Sequence, residues 1–267
     1  MILSIQSNVI YGHVGNAASL PMYHACGIAA EHLDTVRLAA HPGYGTSARD
    51  VTSADIMSAL FSDYLSLPLD EPLQAVHTGY FVTKEQVTAT ADFIKKLKER
   101  TPDIAILVDP VFGDKGRIYV AEDVVEAITN ELLPQASIIT PNQFELSYLA
   151  GNEVRHAKDA EEALDKMAQK YDAMIIATGV LDADRVQDIA ICGDVFYHHQ
   201  APALVSGVSG AGDAFSALFL ASYITGKSPK EALDTASSLT HHMVKNSKSP
   251  LTLNMASGLS KIAGRRD

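Results

Sequence analysis

Short unbroken apolar runs alternate along this chain with longer segments in which apolar residues recur every three or four positions. The first run, Ile2-Leu3-Ser4-Ile5-Gln6, reads as a buried strand. It passes into a polar loop over 7–16 and then a helix over 17–26 that stops at Gly27. The same pattern predicts strands at 35–39, 75–77, 104–108, 137–139 and 174–177, with helices at 53–65, 84–100, 122–133 and 160–171. Apolar strands separated by helices predict a mostly parallel sheet covered on both faces. Further on, 189–192 and 195–199 flank Gly193-Asp194 and read as a hairpin on the sheet edge. A helix over 212–224, closed by Thr225-Gly226, precedes another that Pro229 opens and that runs to about Lys245. Residues 246–267 are weakly patterned, as a last helix or a frayed tail. No repeat and no Pro/Ser-rich linker divides the chain, so one α/β domain over 1–267 is expected.

Composition narrows the partners. With 47% hydrophobic residues the chain can bury a sizeable core, and its net charge of −11 repels phosphate backbones and anionic lipid at long range. Nucleic acid and membrane surfaces are therefore not expected as partners, and an anionic ligand must be held by local dipoles, a metal or a few placed cations. The two cysteines, Cys26 and Cys192, have no metal-ligand spacing and suit a reduced, cytoplasmic setting. No export signal and no membrane-spanning run is read from the chain.

The most informative stretch is Ser206-Gly207-Val208-Ser209-Gly210-Ala211-Gly212-Asp213. Gly210 and Gly212 around Ala211 let backbone approach a ligand closely, and the helix that starts there aims free N–H groups and its positive dipole end at whatever lies in front. That is an anion hole without a positive side chain. Asp213 in the first turn could simply favour the helix dipole. Beside two glycines it could also accept a proton from a substrate hydroxyl while the hole neutralises a transferring phosphoryl group. This is the chemistry of a small-molecule kinase. Neither GxxxxGK[ST] nor a GxGxxG after the first strand occurs, which sets aside the P-loop and dinucleotide-binding folds.

At this point the sequence resembles the ribokinase-like kinases and, within them, the pyridoxal (vitamin B6) kinases. The blocks that carry the resemblance are Ser4-Ile5-Gln6-Ser7-Asn8-Val9 with Tyr11-Gly12-His13-Val14-Gly15-Asn16, His41-Pro42-Gly43-Tyr44-Gly45, and Val108-Asp109-Pro110-Val111-Phe112-Gly113. Thr140-Pro141-Asn142-Gln143-Phe144-Glu145-Leu146 and Gly210-Ala211-Gly212-Asp213 complete them, in family order from Ile2 to about Lys245. The resemblance implies a three-layer fold and phosphorylation of the hydroxymethyl group of pyridoxal, pyridoxine or pyridoxamine by ATP. It implies Mg²⁺, a monovalent cation such as K⁺, and a homodimer.

Residue by residue, the resemblance implies that Asp213 is the catalytic base and that Gly210, Ala211 and Gly212 form the anion hole. Ser7, His41, Pro42, Gly43, Tyr44 and Tyr80 would face the substrate, and Asp109, Thr140, Asn142, Glu145 and Thr178 the nucleotide. Asp109 and Glu145 would serve the metal, through water if not directly. Local alternatives stand beside these roles: a loop turn for Ser7, packing for Tyr80, turn geometry for the threonines, and a capping box led by Asn142 for Glu145.

The chain also departs from the family. Pro42 stands where a Thr is common, and Lys115-Gly116-Arg117 lacks the Cys that some bacterial members place after the Lys. Residues 202–209, ahead of the anion hole, are few and carry no basic side chain. His198-His199 point to opposite faces of a strand and His241-His242 about 100° apart on a helix, poor chelating pairs that read as structural or solvent-facing. A hydroxymethylpyrimidine or sugar kinase of the same fold and a non-catalytic vitamer-binding protein are the alternative readings.

Overall fold

The computed structural model describes residues 1–204 and 208–264. Its centre is a nine-stranded sheet in the order β11-β10-β9-β8-β5-β4-β1-β2-β3. The parallel core comprises β1 (Ile2–Tyr11), β2 (Ala30–Ala40), β4 (Ala75–Thr78), β5 (Ala105–Val108), β8 (Ile138–Ile139) and β9 (Met174–Asp182). Antiparallel strands close both edges. At one, β3 (Arg49–Val51) pairs with β2; at the other, β10 (Arg185–Cys192) and β11 (Val195–Pro202) turn back about Gly193, which has φ +58°. The expected edge hairpin is present, with longer strands than its apolar residues alone indicate.

Helices cover both faces, giving the three layers. On one side, α2 (Ala54–Tyr64), α3 (Lys84–Arg100), α4 (Glu122–Ala127), α5 (Gln143–Ala150) and α6 (Ala157–Ala168) bury Phe61, Phe93, Leu146 and Leu164 against Ile5, Val76 and Ile106. On the other, α1 (Asn16–Ala25), α7 (Ala211–Ile224), α8 (Pro229–Lys245) and α9 (Met255–Ala263) bury Met22, Phe215, Phe219 and Leu233 against Ile2, Leu107 and Ile176. Alternate residues of one strand feed opposite cores, as the period-2 geometry of a strand requires. A capping box opens α3 (Thr83 with Gln86), α5 (Asn142 with Glu145) and α8 (Ser228 with Glu231).

Several boundaries differ from the sequence reading. β2 begins at Ala30, five residues before the expected strand, because Glu31 and His32 lie exposed and interrupt the apolar run. The helix expected over 122–133 is regular only to Ala127; a wide turn over Ile128–Leu132 and a tight one at Leu133–Gln135 follow, where Pro134 cannot donate to a helical ladder. The weakly patterned tail contains α9, whose buried Met255 and Ile262 pack on α8 and α1. Residues 205–207, within the segment read as few and uncharged, lie outside the described residues.

Candidate active site

Register determines which side chains meet. Ile5, Thr78, Val108, Ile139 and Ile175 lie on one line of paired residues across five parallel strands. The residues just past that line therefore emerge together at the carboxyl edge, where open parallel sheets hold ligands. They include Ser7 at a register shift within β1, Gly79 and Tyr80 after β4, Asp109 after β5, and Thr140 to Asn142 after β8, with Thr178 in β9 bridged to Asn142. The Asp109 N–H donates to Thr78 O at 2.9 Å and the Thr140 N–H to Val108 O at 3.2 Å, so strand pairing continues to the edge itself.

The start of α7 stands over this edge. A Cβ built on Gly212 would lie 3.9 Å from Asp109 Oδ2, and one turn further along Ser216 Oγ donates to the same oxygen at 3.0 Å. Because Ser216 gives its proton to Asp109, Thr140 Oγ1 donates to Ser216 Oγ at 2.9 Å. Thr140 is thus buried one layer behind Asp109. Gly210, with φ +89°, occupies the left-handed region at the head of α7, and a Cβ there would meet His13 O at 1.8 Å. Only glycine permits this contact between the two loops.

Three carboxylates converge. Burial, then the charges of Glu145 and Asp213, raise the Asp109 carboxyl well above its usual range, against the Ser216 hydrogen bond. Burial likewise raises half-buried Asp213, opposed by N–H donation from Gly15 and from its own backbone. Glu145 is pushed up to about 7 by burial, although the Asn142, Gly113 and Phe112 N–H groups favour its ionised form. Its oxygens accept from Phe112 N at 2.9 Å, Gly113 N at 3.3 Å and Asn142 N at 3.0 Å. The capping residue of α5 therefore also clamps the loop after Asp109, where Val111 holds φ +43°, a strained value for a β-branched residue.

The fit to a divalent cation can be judged from these donors. Among the described residues none of the three carboxylates is in an ion pair, and no three His, Cys, Asp or Glu side chains stand at metal-binding spacing. A buried acidic cluster of hard oxygens with too few ligands for a protein cage suits Mg²⁺, which keeps waters and arrives with phosphate. The residues present fit that ion.

Tyr119, which the sequence reading passed over, belongs to this cluster. Its phenol is pushed well up by desolvation and by Glu145, Asp109, Asp213 and Asp114, and its ring lies 6.5 Å from that of Tyr80. Nothing local marks it, since it follows a two-strand ribbon, β6 (Gly113–Asp114) and β7 (Arg117–Ile118), that only the fold returns to the site. The loop at His41 to Tyr44 lies farther out. A Cβ on Gly43 would touch Leu251 Cδ2 at 2.7 Å, and Thr252 neighbours Gly12 and His13, which reach Gly210. In this exposed turn His41 Nδ1 accepts from Gly43 N at 3.1 Å, and burial lowers its pKa. His198 and His199 separate as expected, with His198 meeting Glu161 of α6 and His199 meeting Asp234 of α8. A cleft of about 230 Å³, lined by Leu204, Val208, Val244, Lys245, Ser247, Lys248, Ser249 and Pro250, opens beside the glycine-rich helix start.

A family model described as phosphomethylpyrimidine kinase matches residues 35–258. A pyridoxal kinase of Granulibacter bethesdensis is 32% identical over 253 residues, covering 91% of this chain and 88% of its own. The chain belongs to the pyridoxal kinase family. A pyridoxal kinase of Sus scrofa is 31% identical, over 91% of this chain and 81% of that one. The Leishmania donovani pyridoxal kinase in complex with ADP and pyridoxine superposes with a TM-score of 0.90 at 26% identity, over 98% of this chain and 95% of that one. The family's ribokinase-like fold is the one described above. No helix among the described residues is long and apolar enough to cross a membrane.

Proposed function

We propose that Asp213 takes the proton of a B6 vitamer's hydroxymethyl group as that oxygen attacks the γ-phosphorus of ATP. The bond from phosphorus to the ADP oxygen breaks, and the products are the vitamer 5′-phosphate and ADP. The chain is an ATP-dependent pyridoxal kinase, and the observation that carries the assignment of roles is the meeting of α7's glycine-rich start with Asp109 and Asp213 at the carboxyl edge of the sheet. The N–H groups of Gly210, Ala211 and Gly212 stabilise the charge spread over the transferring phosphoryl oxygens. Mg²⁺ bound with the nucleotide would shield phosphate charge, and Asp109 and Glu145 would hold it, directly or through water. Asn142 and Thr178 flank the phosphates, and Thr140 steadies Asp109 through Ser216. Thr140 and Thr178 would hold a monovalent cation such as K⁺ on the nucleotide side.

Tyr80 lies against the face of the pyridine ring, Ser7 hydrogen-bonds the ring system, and His41, Pro42, Gly43 and Tyr44 border its outer side. Leu204, Val208 and Val244 in the 230 Å³ cleft suit the base of the nucleotide, and Lys245 and Lys248 suit its phosphates. The family model's description favours one second reading, a hydroxymethylpyrimidine as acceptor. An ADP-release assay with Mg-ATP against pyridoxal, pyridoxine, pyridoxamine, hydroxymethylpyrimidine and ribose decides between them. Turnover with at least one vitamer, well above that with the pyrimidine, is expected; turnover with the pyrimidine alone would transfer the substrate assignment to it.

Residues 1–267 form one kinase domain in this reading, working in the cytoplasm as a homodimer. Exposed Ile10, Tyr11, Ile56 and Leu60 support the dimer as apolar surface near one edge of the sheet. Sedimentation at micromolar concentration is expected to give twice the chain mass of 28.6 kDa; a monomer would remove the dimer from the proposal.

A further inference from the structure

Behind the candidate base, five side chains form one line of hydrogen bonds through the interior that ends on a backbone carbonyl. Asn16 Nδ2 donates to Asp34 Oδ1 at 2.8 Å, and Ser4 Oγ donates to Asn16 Oδ1 at 2.7 Å. Gln6 Nε2 donates to Ser4 Oγ at 2.9 Å and to Ser19 Oγ at 3.1 Å. Ser19 Oγ donates to the backbone carbonyl of Asp213 at 3.2 Å, across 194 residues of sequence. Ser4, Gln6, Asn16 and Ser19 are each 0% exposed. Buried polar groups of this kind are costly unless satisfied, and apolar side chains would pack the same space between β1 and α1.

The line has a fixed polarity. The Asp213 carbonyl and Asn16 Oδ1 can only accept, so both serine hydroxyls must donate outward. Gln6 then gives its two amide hydrogens to the serines, and His77 Nδ1, 3.1 Å from the same nitrogen, accepts instead from the Tyr23 hydroxyl at 2.8 Å. That orients Gln6 Oε1 against Gly79, where a Cβ would lie 2.7 Å away, and leaves that oxygen without a partner among the described residues. At the N-cap of α1 the Gly15 N–H faces the Asp213 carboxylate and favours its ionised form. The start of α1 thus meets Asp213 twice, at its carboxylate from Gly15 and at its backbone carbonyl from Ser19.

We propose that Ser19, oriented by Gln6, is a positioning residue for phosphoryl transfer, fixing the first turn of α7 so that the Asp213 carboxylate keeps the Gly15 hydrogen bond and its aim at the acceptor hydroxyl. The proposal rests on Asp213 being the base. Ser19→Ala removes one hydroxyl and leaves all residues at the substrate and nucleotide in place. It is expected to lower kcat about tenfold, the scale of one lost hydrogen bond, while KM for pyridoxal and for ATP stays within about twofold. The acid limb of kcat/KM against pH should move upward, because a loosened turn weakens the Gly15 donation that favours the ionised base. Gln6→Glu should give the same kcat defect, since an ionised carboxylate cannot donate and would draw the Ser19 proton away from Asp213. If Ser19→Ala keeps wild-type kcat and pH profile while Asp213→Asn is inactive, the positioning role is overturned and the base stands. A loss in Ser19→Ala confined to KM also overturns it. An active Asp213→Asn protein overturns the assignment of the base itself.

Discussion

Asp213→Asn is expected to reduce kcat about 10²- to 10⁴-fold, the range for loss of a general base, with the KM values for vitamer and ATP little changed. Asparagine keeps the shape of the side chain and an oxygen for the Gly15 N–H, so the start of α7 is preserved. Stability should respond in the opposite sense to activity. The raised pKa of Asp213 means that its stability contribution is present below the ordinary carboxylate pKa and is lost as pH rises through the folded value. At pH 8 the Asn variant is therefore expected to melt at or above the wild-type temperature while turning over far more slowly. ADP release and thermal melting on the same preparation check both halves. A folded variant with near-normal turnover would show that another group takes the proton. The same raised pKa places the acid limb of wild-type kcat/KM above the ordinary Asp range.

Gly210→Ala is expected to lower kcat on the order of 10²-fold or more, the cost of misplacing one preorganised donor at a developing charge. The new methyl would lie 1.8 Å from His13 O and 2.9 Å from His13 C, backbone atoms that cannot rotate aside, so either the head of α7 or the 12–14 loop must move. Left-handed strain adds about 1–3 kcal/mol, which lowers Tm by several degrees. Gly226→Ala supplies the control. Gly226 has φ +92° and nothing within 4 Å of its built Cβ, so it carries the strain without the collision. Equal melting losses with turnover lost only at position 210 would separate misplacement of the anion hole from simple destabilisation. Unchanged kcat in Gly210→Ala would mean that the helix start does not hold the phosphoryl group.

Clustering of raised carboxylate pKa values gives the site its electrostatic character. Asp109, Glu145 and Asp213 come from a strand end, a helix cap and a second helix start, and among the described residues none has a cationic partner in the protein. Glu145 shows how a structural and a site role coincide in one side chain. It closes the capping box of α5 and clamps the strained Asp109 to Gly113 loop, and in the role proposed for it contributes negative charge toward the nucleotide's cation. The outer loop at His41 to Tyr44 is joined through Leu251 and Thr252 to the segment that touches Gly210.

Local physics sufficed for much of this protein. Apolar runs marked the buried parallel strands, helical periodicity marked the covering helices, Gly193-Asp194 marked the edge hairpin, and Gly210 with Gly212 marked a helix start. The Asn142 and Glu145 capping pair was equally legible, because caps depend on residues three apart. By contrast, Glu31 and His32 concealed the start of β2, since exposed strand residues carry no apolar signal. Tyr119, the Glu145 clamp on Phe112 and Gly113, the Ser216 bond to Asp109 and the Ser19 bond to Asp213 depended on the tertiary structure. The last two join residues 107 and 194 positions apart. Periodicity and caps report a residue's preferences within a few neighbours, whereas these contacts exist only because strand order and crossovers bring distant strand and helix ends to one edge of one sheet.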